Sequence, residues 1–153
     1  MDDSVLDWLL EPDNPSVRYL TLTTLLGKKP DDPDVVSARA EIMRSGPVPA
    51  ILASQNEDGS WGLAEKFYTD KYGGTVWTVL LLAEFHADPT DPRVKKACEF
   101  LLEHSWDSDS GGFSMTQSVK TGRGLASGII PCLTGNITYS LIRLGLDRKS
   151  VVV

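Results

Sequence analysis

Four side chains of this chain belong to the types that hold zinc or act as nucleophiles: Cys98, Cys132, His86 and His104. Zinc sites group Cys, His or carboxylate ligands at short, recognisable spacings, and these four residues show none. Cys98 falls on the apolar stripe of a predicted helix, where a free cysteine behaves as a small hydrophobic residue. Cys132 is the best-placed ligand of the four, but the sequence predicts no metal site and no cofactor.

A pair of carboxylates, in Asp107-Ser108-Asp109-Ser110, is the other group that could do chemistry. Paired carboxylates can act as acid and base when a dry pocket shifts the pKa of one of them. Here both stand among Ser and Gly, in a composition typical of turns. We therefore predict a solvated turn.

The most distinctive stretch is Gln55-Asn56-Glu57-Asp58-Gly59-Ser60-Trp61-Gly62. It predicts a helix, begun at Pro47 and closed at Gln55, that runs into a turn in which Gly59 can take a positive φ. Trp61 can then fold back under the helix end. Its ring would be buried while the indole N–H and the Gln55 amide find partners at neighbouring helix ends.

A weaker copy follows in the chain. Phe100-Leu101 and His104 lie 49 residues after Ile51-Leu52 and Gln55, and Gly111-Gly112-Phe113 lies 52 residues after Gly59-Ser60-Trp61. A period near ~50 residues is within the range of repeat proteins. The residues expected to carry this structural motif are Gln55, Asp58, Gly59, Trp61, Gly111 and Phe113.

The stretch Gln-x-x-Asp-Gly-Ser-Trp resembles the QW repeat of the squalene cyclase and prenyltransferase superfamily, whose domains are α/α toroids. In that family the repeat residues are structural and tie helix ends together. The resemblance implies an all-α fold, an incomplete α/α toroid over about residues 30–147. Residues 1–30 would be an added helical pair, and residues 31–153 a partial toroid domain with two QW-like repeats.

The catalytic motifs of that superfamily are incomplete here. Its class II cyclases protonate an alkene with an Asp-x-Asp-Asp motif, whose fourth position is Ser110 in this chain. Its protein prenyltransferases hold zinc with Asp, Cys and His, and the thioester toroids carry Gly-Cys-Gly-Glu-Gln, which is absent. The resemblance therefore leaves open whether the protein is an enzyme.

The resemblance also implies that a cavity opens where the inner helices begin, at residues 67–75 and 131–136. Aromatic rings and a few polar groups beside an apolar helix suit a small-molecule site, and helix N-termini favour anions. In the alternative interpretation Tyr68 and Tyr72 only complete the core. The predicted ligand-binding residues are Tyr68, Asp70, Lys71, Tyr72, Cys132, Thr134 and Asn136.

Length and composition limit the other classes of function. The 153 residues suit one domain, and the 41% hydrophobic and 24% charged residues indicate a globular chain. The net charge of −6 argues against nucleic-acid partners. The acidic start has no signal-peptide pattern, no apolar run could span a membrane, and two cysteines form no disulfide framework, so we expect a cytoplasmic protein.

Three predicted helices begin with an Asx-Pro pair, at Asn14-Pro15, Asp32-Pro33 and Asp91-Pro92, where the Asx caps free N–H groups. This pattern argues against β-rich folds. A proline also starts the helix at Pro47. The predicted helices are Val5–Leu10, Pro15–Leu26 (stopped by Gly27), Pro33–Ser45, Pro47–Gln55, Thr75–Phe85, Pro92–His104 and Ile137–Leu146. In the third of these, Val36, Ala40 and Met43 form the predicted apolar side, with Arg39 and Arg44 off it.

Two of these helices differ in pattern. Thr75–Phe85 is apolar nearly all round and should be buried, whereas Pro92–His104 is amphipathic, as an inner and an outer helix of a two-layered ring would be. Residues 105–134 show no periodicity, so a functional or mobile loop is expected. In the last helix, Thr138-Tyr139-Ser140-Leu141 is similar to Val76-Trp77-Thr78-Val79 of the first inner helix.

The last helix carries the apolar residues Ile137, Leu141, Ile142 and Leu144 with no outer helix after it in the sequence. Soluble monomers seldom expose such a stripe. The sequence therefore predicts a homodimer through the last helix. The predicted function is an apolar or isoprenoid-like small-molecule site, and the alternative is a HEAT-like helical scaffold for a protein partner.

Overall fold

The computed structural model describes residues 3–147. As predicted, it is mostly helical, with seven α-helices in that range. They are α1 (Asp3–Leu9), α2 (Pro15–Leu20), α3 (Pro33–Glu41), α4 (Pro47–Ala53), α5 (Thr75–Glu84), α6 (Pro92–His104) and α7 (Pro131–Arg143). Within residues 3–147 no helix is both long and apolar enough to cross a bilayer.

The proline-led helix starts are confirmed, and two of the three Asx caps form. Asp32 accepts a hydrogen bond from the Asp34 N–H at 2.9 Å, and Asp91 accepts one from the Arg93 N–H at 2.8 Å. Asn14 makes no such side-chain bond at the start of α2. Capping side chains therefore hold the starts of α3 and α6, whereas α2 relies on Pro15 and on packing.

The second helix changes its winding before it stops. After Leu20 the chain continues as a π-helical turn, Thr21–Leu25, in which the Thr21 hydroxyl donates to the Val17 carbonyl at 2.8 Å. Side-chain hydrogen bonds of this kind compete with the regular backbone pattern. The predicted stop at Gly27 is confirmed, since its φ is +62°.

The predicted apolar side of α3 is wrong for Val36 and Ala40, although Met43 is partly buried and packs against the core. Val35 and Ala38 are buried, followed by Ile42 just after the helix, whereas Val36 is 54% exposed and Ala40 is exposed. The buried positions follow the same helical spacing, shifted by one residue or more from the predicted side. Sequence pattern alone could not choose between the two sides because each carries small or apolar residues.

The main core gathers around α5, which contacts both α6 and α7. As expected for an apolar helix, most of α5 is buried, including Val76, Val79 and Leu82. A smaller core joins Leu22 with Val35 and Ala38. This small core links segments on both sides of the predicted domain boundary at residues 30 and 31, and the division itself stays a prediction.

Residues 105–130, for which the sequence predicts a loop without secondary structure, contain a small β-structure. Strands β1 (Trp106–Asp107) and β2 (Gly112–Phe113) pair antiparallel, and single bridges join Ser114 to Ile129 and Gln117 to Gly124. A small sheet is therefore present in a chain predicted to be all-α. Two-residue strands are too short to show an alternating pattern in the sequence.

The last helix begins at Pro131, six residues before the predicted start at Ile137. Of the apolar residues predicted to form the dimer interface, Ile137, Leu141 and Leu144 lie within the chain's own core, and Ile142 is partly buried. The prediction that this helix exposes an apolar stripe is thus wrong. Homodimerisation loses that basis and stays a prediction, as does closure of the helices into a toroid.

Candidate functional site

The first turn docks Trp61 as predicted. Its ring is 5% exposed, and its indole N–H donates to the Ile51 carbonyl, in the last turn of α4, at 2.8 Å. Carbonyls of a last helical turn have no partner within the helix, so this bond satisfies both groups. The Trp61 backbone N–H donates to the Thr75 hydroxyl at 3.0 Å, which fixes the turn to the start of α5.

Gln55 and Asp58 complete this turn. The Gln55 amide donates to the Gly59 carbonyl at 3.0 Å and to the Arg93 carbonyl of α6 at 2.9 Å. Asp58 accepts from the Ser60 N–H at 2.9 Å and from its hydroxyl at 2.6 Å. Although partial burial acts to raise it, these Ser60 hydrogen bonds lower the pKa of Asp58. The motif thus joins α4, α5 and α6.

The second turn repeats part of this arrangement. Phe113 is fully buried, and its N–H donates to the Thr134 hydroxyl in α7 at 3.0 Å, as Trp61 does to Thr75. Gly111 has a φ of +65°, comparable to the positive φ of Gly59. His104, in the place of Gln55, contacts the Gly122 carbonyl through Nδ1 at 2.9 Å.

The helices that follow the two turns also end alike. The Ala87 N–H bonds to the Leu82 carbonyl at 2.9 Å, and the Leu146 N–H bonds to the Leu141 carbonyl at 3.0 Å. These are the 6→1 bonds of Schellman turns. The residues before them, His86 and Gly145, have φ values of +57° and +92°. The structure therefore aligns α5 with α7 at 59 residues, from Thr75 to Thr134, rather than at the 62 that the sequence comparison predicts.

His86 lies among aromatic and cationic side chains. Its ring packs edge-on to Tyr19 with centroids 5.1 Å apart, Arg143 contacts its Nε2, and Arg39 donates to its backbone carbonyl. Burial, Arg143 and Arg39 together lower the pKa of His86 to about 4. The imidazole is consequently neutral at neutral pH and can accept a hydrogen bond from Arg143.

Three aromatic side chains form a cleft of about 430 Å³ before and at the start of α5, here called the aromatic cleft. The Tyr68 and Trp77 rings stack with centroids 6.0 Å apart, and the Tyr72 ring lies 5.9 Å from that of Trp77. The Trp77 indole N–H donates to the Tyr68 carbonyl at 3.2 Å, which fixes its orientation. The cleft is lined by Tyr68, Thr69, Lys71, Tyr72 and Trp77.

The aromatic cleft brings together three of the predicted ligand-binding residues: Tyr68, Lys71 and Tyr72. Asp70, Cys132, Thr134 and Asn136 are not among its lining residues. Cys132 and Asn136 are exposed in the first turns of α7, and Thr134 is engaged by Phe113. Thr69 and Trp77 also line the cleft and are not among the predicted residues. Trp77 could have been found from the sequence, because it lies in the first turn of the apolar helix that follows the predicted loop.

Two of the candidate catalytic residues, Asp107 and Cys98, have structural roles. Asp107 accepts hydrogen bonds from the N–H and hydroxyl of Ser110, which confirms the predicted turn. Cys98 is buried on the apolar face of α6, and burial raises the pKa of its thiol to about 12. Between residues 3 and 147 no three His, Cys, Asp or Glu side chains are grouped to hold a metal ion.

Comparisons with models of known protein families, with curated proteins and with solved structures give no match.

Proposed function

We propose that this protein is a squalene cyclase/prenyltransferase-like domain that binds an apolar, isoprenoid-like small molecule in the aromatic cleft, without a complete catalytic motif. The observation that carries the proposal is the meeting of three rings, Tyr68, Tyr72 and Trp77, around a cleft of about 430 Å³. This volume lies within the range of small-molecule sites, about 300–1,000 Å³.

The exposure of Tyr72 supports a binding role over a core role. Its side chain is 82% exposed, so it completes no core, although it lies against the Trp77 ring. A large aromatic group in this position offers apolar surface that a ligand would remove from water. The alternative in which Tyr72 only finishes the core is therefore disfavoured, while the partly buried Tyr68 serves both purposes.

Among the described residues that line the cleft, Lys71 is the only cation. It is exposed and has a φ of +48°, an unusual conformation for a residue other than glycine. Strained backbone conformations of this kind are concentrated at functional sites. A lysine beside aromatic rings suits a molecule with an apolar chain and an anionic head, such as an isoprenoid diphosphate.

Isothermal titration calorimetry with farnesyl diphosphate and with farnesol tests this proposal. We expect both to bind, with Trp77→Ala and Tyr72→Ala each weakening binding about 10-fold or more through lost apolar contact. Lys71→Met should weaken farnesyl diphosphate several-fold and leave farnesol unchanged. Tyr139→Ala, which removes an exposed ring of α7, is the matched control.

Equal binding by Trp77→Ala, Tyr72→Ala and the Tyr139→Ala control would exclude the aromatic cleft as the site. Failure of both probes to bind at about 1 mM would reject an isoprenoid-like ligand altogether.

A HEAT-like protein scaffold remains the second candidate, because α2 and α3 pack on a small core of their own, as a helical hairpin does. On α1, Trp8 is 65% exposed and could contact such a partner. A protein partner captured by the wild type and lost in Trp8→Ser, together with no binding of either isoprenoid probe, would favour this function.

A further inference from the structure

A larger cleft than the aromatic one lies along the exposed side of α3. Its volume is about 630 Å³, again within the range of small-molecule sites, and it extends from α3 to Tyr19 of α2 and Asp88 after α5. We call it the arginine cleft, after Arg39 and Arg44, which line it. It is separate from the aromatic cleft, with which it shares none of its lining residues.

One wall of the arginine cleft is apolar. Val36 and Met43 line it from the α3 side, and Val36 is 54% exposed. Both residues belong to the side of α3 that is predicted to be apolar, yet Val36 faces the cleft rather than the core. A short hydrocarbon chain laid against this wall would remove apolar surface from water.

Arg39, on the same helix as Val36, is held in place by two contacts. Its guanidinium carbon lies 5.6 Å from the centroid of the Tyr19 ring, and Nη1 donates to the His86 carbonyl. A guanidinium has five N–H donors in a planar fork, so one carbonyl leaves most of them free. A fixed, planar fork is suited to a carboxylate, which it binds with two parallel hydrogen bonds.

The charges around the cleft are unbalanced. The ion pairs within residues 3–147 involve Lys28 and Arg93, so neither Arg39 nor Arg44 lies within ion-pair distance of a carboxylate there. Asp88, the acidic residue of the lining, already accepts hydrogen bonds from the Thr90 N–H and hydroxyl, each at 2.8 Å. Arg39, Arg44 and the hydrogen-bonded Asp88 together give the lining a net charge of about +1, although the whole chain has a net charge of −6.

We propose that the arginine cleft binds a small amphiphilic monocarboxylate, with its carboxylate on the fork of Arg39 and its apolar chain against Val36 and Met43. Arg44 adds attraction from the rim. A single negative charge matches the net charge of the cleft, and the apolar wall distinguishes this ligand from a simple inorganic anion.

Titration of the ¹⁵N-labelled protein with octanoate, followed by NMR, tests this site, with 1-octanol and inorganic phosphate as probes that lack one feature each. Octanoate should bind about 10-fold more tightly than either. Arg39→Lys keeps the charge but loses the fork, and should weaken octanoate about 5-fold. Val36→Glu places a negative charge in the cleft at an exposed position; it should weaken octanoate about 10-fold without changing the melting temperature.

Two variants outside the cleft serve as controls. Arg123→Gln removes an exposed arginine elsewhere, and Trp77→Ala removes the aromatic cleft; both should bind octanoate like the wild type. Three results would overturn the proposal: no shifts at about 10 mM octanoate, equal binding of octanoate and phosphate, or full binding by a folded Val36→Glu variant. Loss of octanoate binding in Trp77→Ala would assign the ligand to the aromatic cleft instead.

Discussion

The two turns, Gln55–Trp61 and His104–Phe113, place an aromatic side chain in the core by different means. In both, the aromatic residue donates its backbone N–H to a threonine at the start of the next buried helix: Trp61 to Thr75 and Phe113 to Thr134, each at 3.0 Å. In the first turn Gln55 also reaches α6, whereas in the second His104 contacts Gly122 in the following loop.

This comparison separates the constant parts of the repeat from the variable ones. The positive-φ glycine, the buried aromatic ring and the threonine hydroxyl occur in both turns. The residue at the helix end differs because its task differs: Gln55 links α4 to α6, while His104 of α6 supports the chain between β2 and α7. The constant parts should therefore carry more of the stability than the helix-end residue does.

The largest expected effect comes from the two rings. Trp61→Ala and Phe113→Ala each remove a buried aromatic side chain and should each lower the free energy of unfolding by about 3–5 kcal/mol. Urea denaturation followed by circular dichroism measures both. Trp8→Ala, at a 65% exposed tryptophan, should change stability by less than about 0.5 kcal/mol. If Phe113→Ala lowered the free energy of unfolding by no more than Trp8→Ala does, the two turns would not be equivalent.

Substitution of the turn glycines, Gly59 and Gly111, should lower stability by different amounts in the two turns. A Cβ at Gly59, whose φ is +93°, would lie 2.6 Å from the Lys96 carbonyl oxygen of α6, whereas Gly111 is exposed. Gly59→Ala combines backbone strain with a clash against the α6 backbone and should cost about 2–4 kcal/mol. Gly111→Ala bears mainly the strain of its positive φ, about 1–2 kcal/mol. Thermal melts compare the two; equal costs would mean that the first turn is not packed on α6 this tightly.

The ends of α5 and α7 should differ in how their contribution to stability depends on pH. His86 occupies the position that Gly145 occupies after α7, and its pKa is lowered from 6.5 to about 4. The unfolded chain therefore binds a proton at this site at higher pH than the folded chain does. Its contribution to stability is complete above pH 6.5 and is lost as the pH falls from 6.5 towards 4.

Because the His86 ring is partly exposed, we expect a loss of about 1–3 kcal/mol over that interval. His86→Asn, which tolerates the positive φ without titrating, should flatten the profile of unfolding free energy between pH 6.5 and pH 4. The hydrogen-bonded carboxylates Asp58, Asp88 and Asp91 have pKa values below 3.8, so they contribute at lower pH. An unaltered slope in His86→Asn would show that another group titrates.

Sequence reasoning was sufficient where one residue determines one contact. Helix α6 begins at Pro92 and ends at His104 as predicted. Trp61 packs against the end of α4, as the turn-forming residues before it predict. It was insufficient where distant segments decide. The buried side of α3 packs on Leu22, and Thr134 in the added first turns of α7 bonds to Phe113 across the loop; neither contact is visible in the local sequence.

The same reason explains the uneven result for the candidate site. Tyr68, Lys71 and Tyr72 are close in sequence, so their loop alone brings them together. The prediction of Cys132, Thr134 and Asn136 requires the two loops to converge. Although α5 and α7 pack together, Cys132 and Asn136 are exposed and the Thr134 hydroxyl is bonded to the Phe113 N–H. The arginine cleft draws on α2, α3 and the turn after α5, so no sequence window contains it.

The threonine hydroxyls provide the finest test of the comparison, because they are the contact that both turns share. The Thr75 hydroxyl is fully buried; it accepts from the Trp61 N–H at 3.0 Å and lies 3.4 Å from the Trp61 carbonyl. Thr75→Val keeps the shape but leaves that N–H buried without a partner, which should cost about 2 kcal/mol.

The hydrogen bond from the Phe113 N–H to Thr134 is only partly buried, whereas that of Trp61 to Thr75 is buried, so Thr134→Val should cost less, about 1 kcal/mol. Thr75→Ser and Thr134→Ser retain the hydroxyl and should recover most of the loss. Hydrogen exchange gives the direct measurement: the amide of Trp61 should lose protection in Thr75→Val, and that of Phe113 in Thr134→Val, each without a change in the other turn. If both amides lost protection together in either variant, the turns would unfold as one unit, and the two repeats would not be separable structural elements.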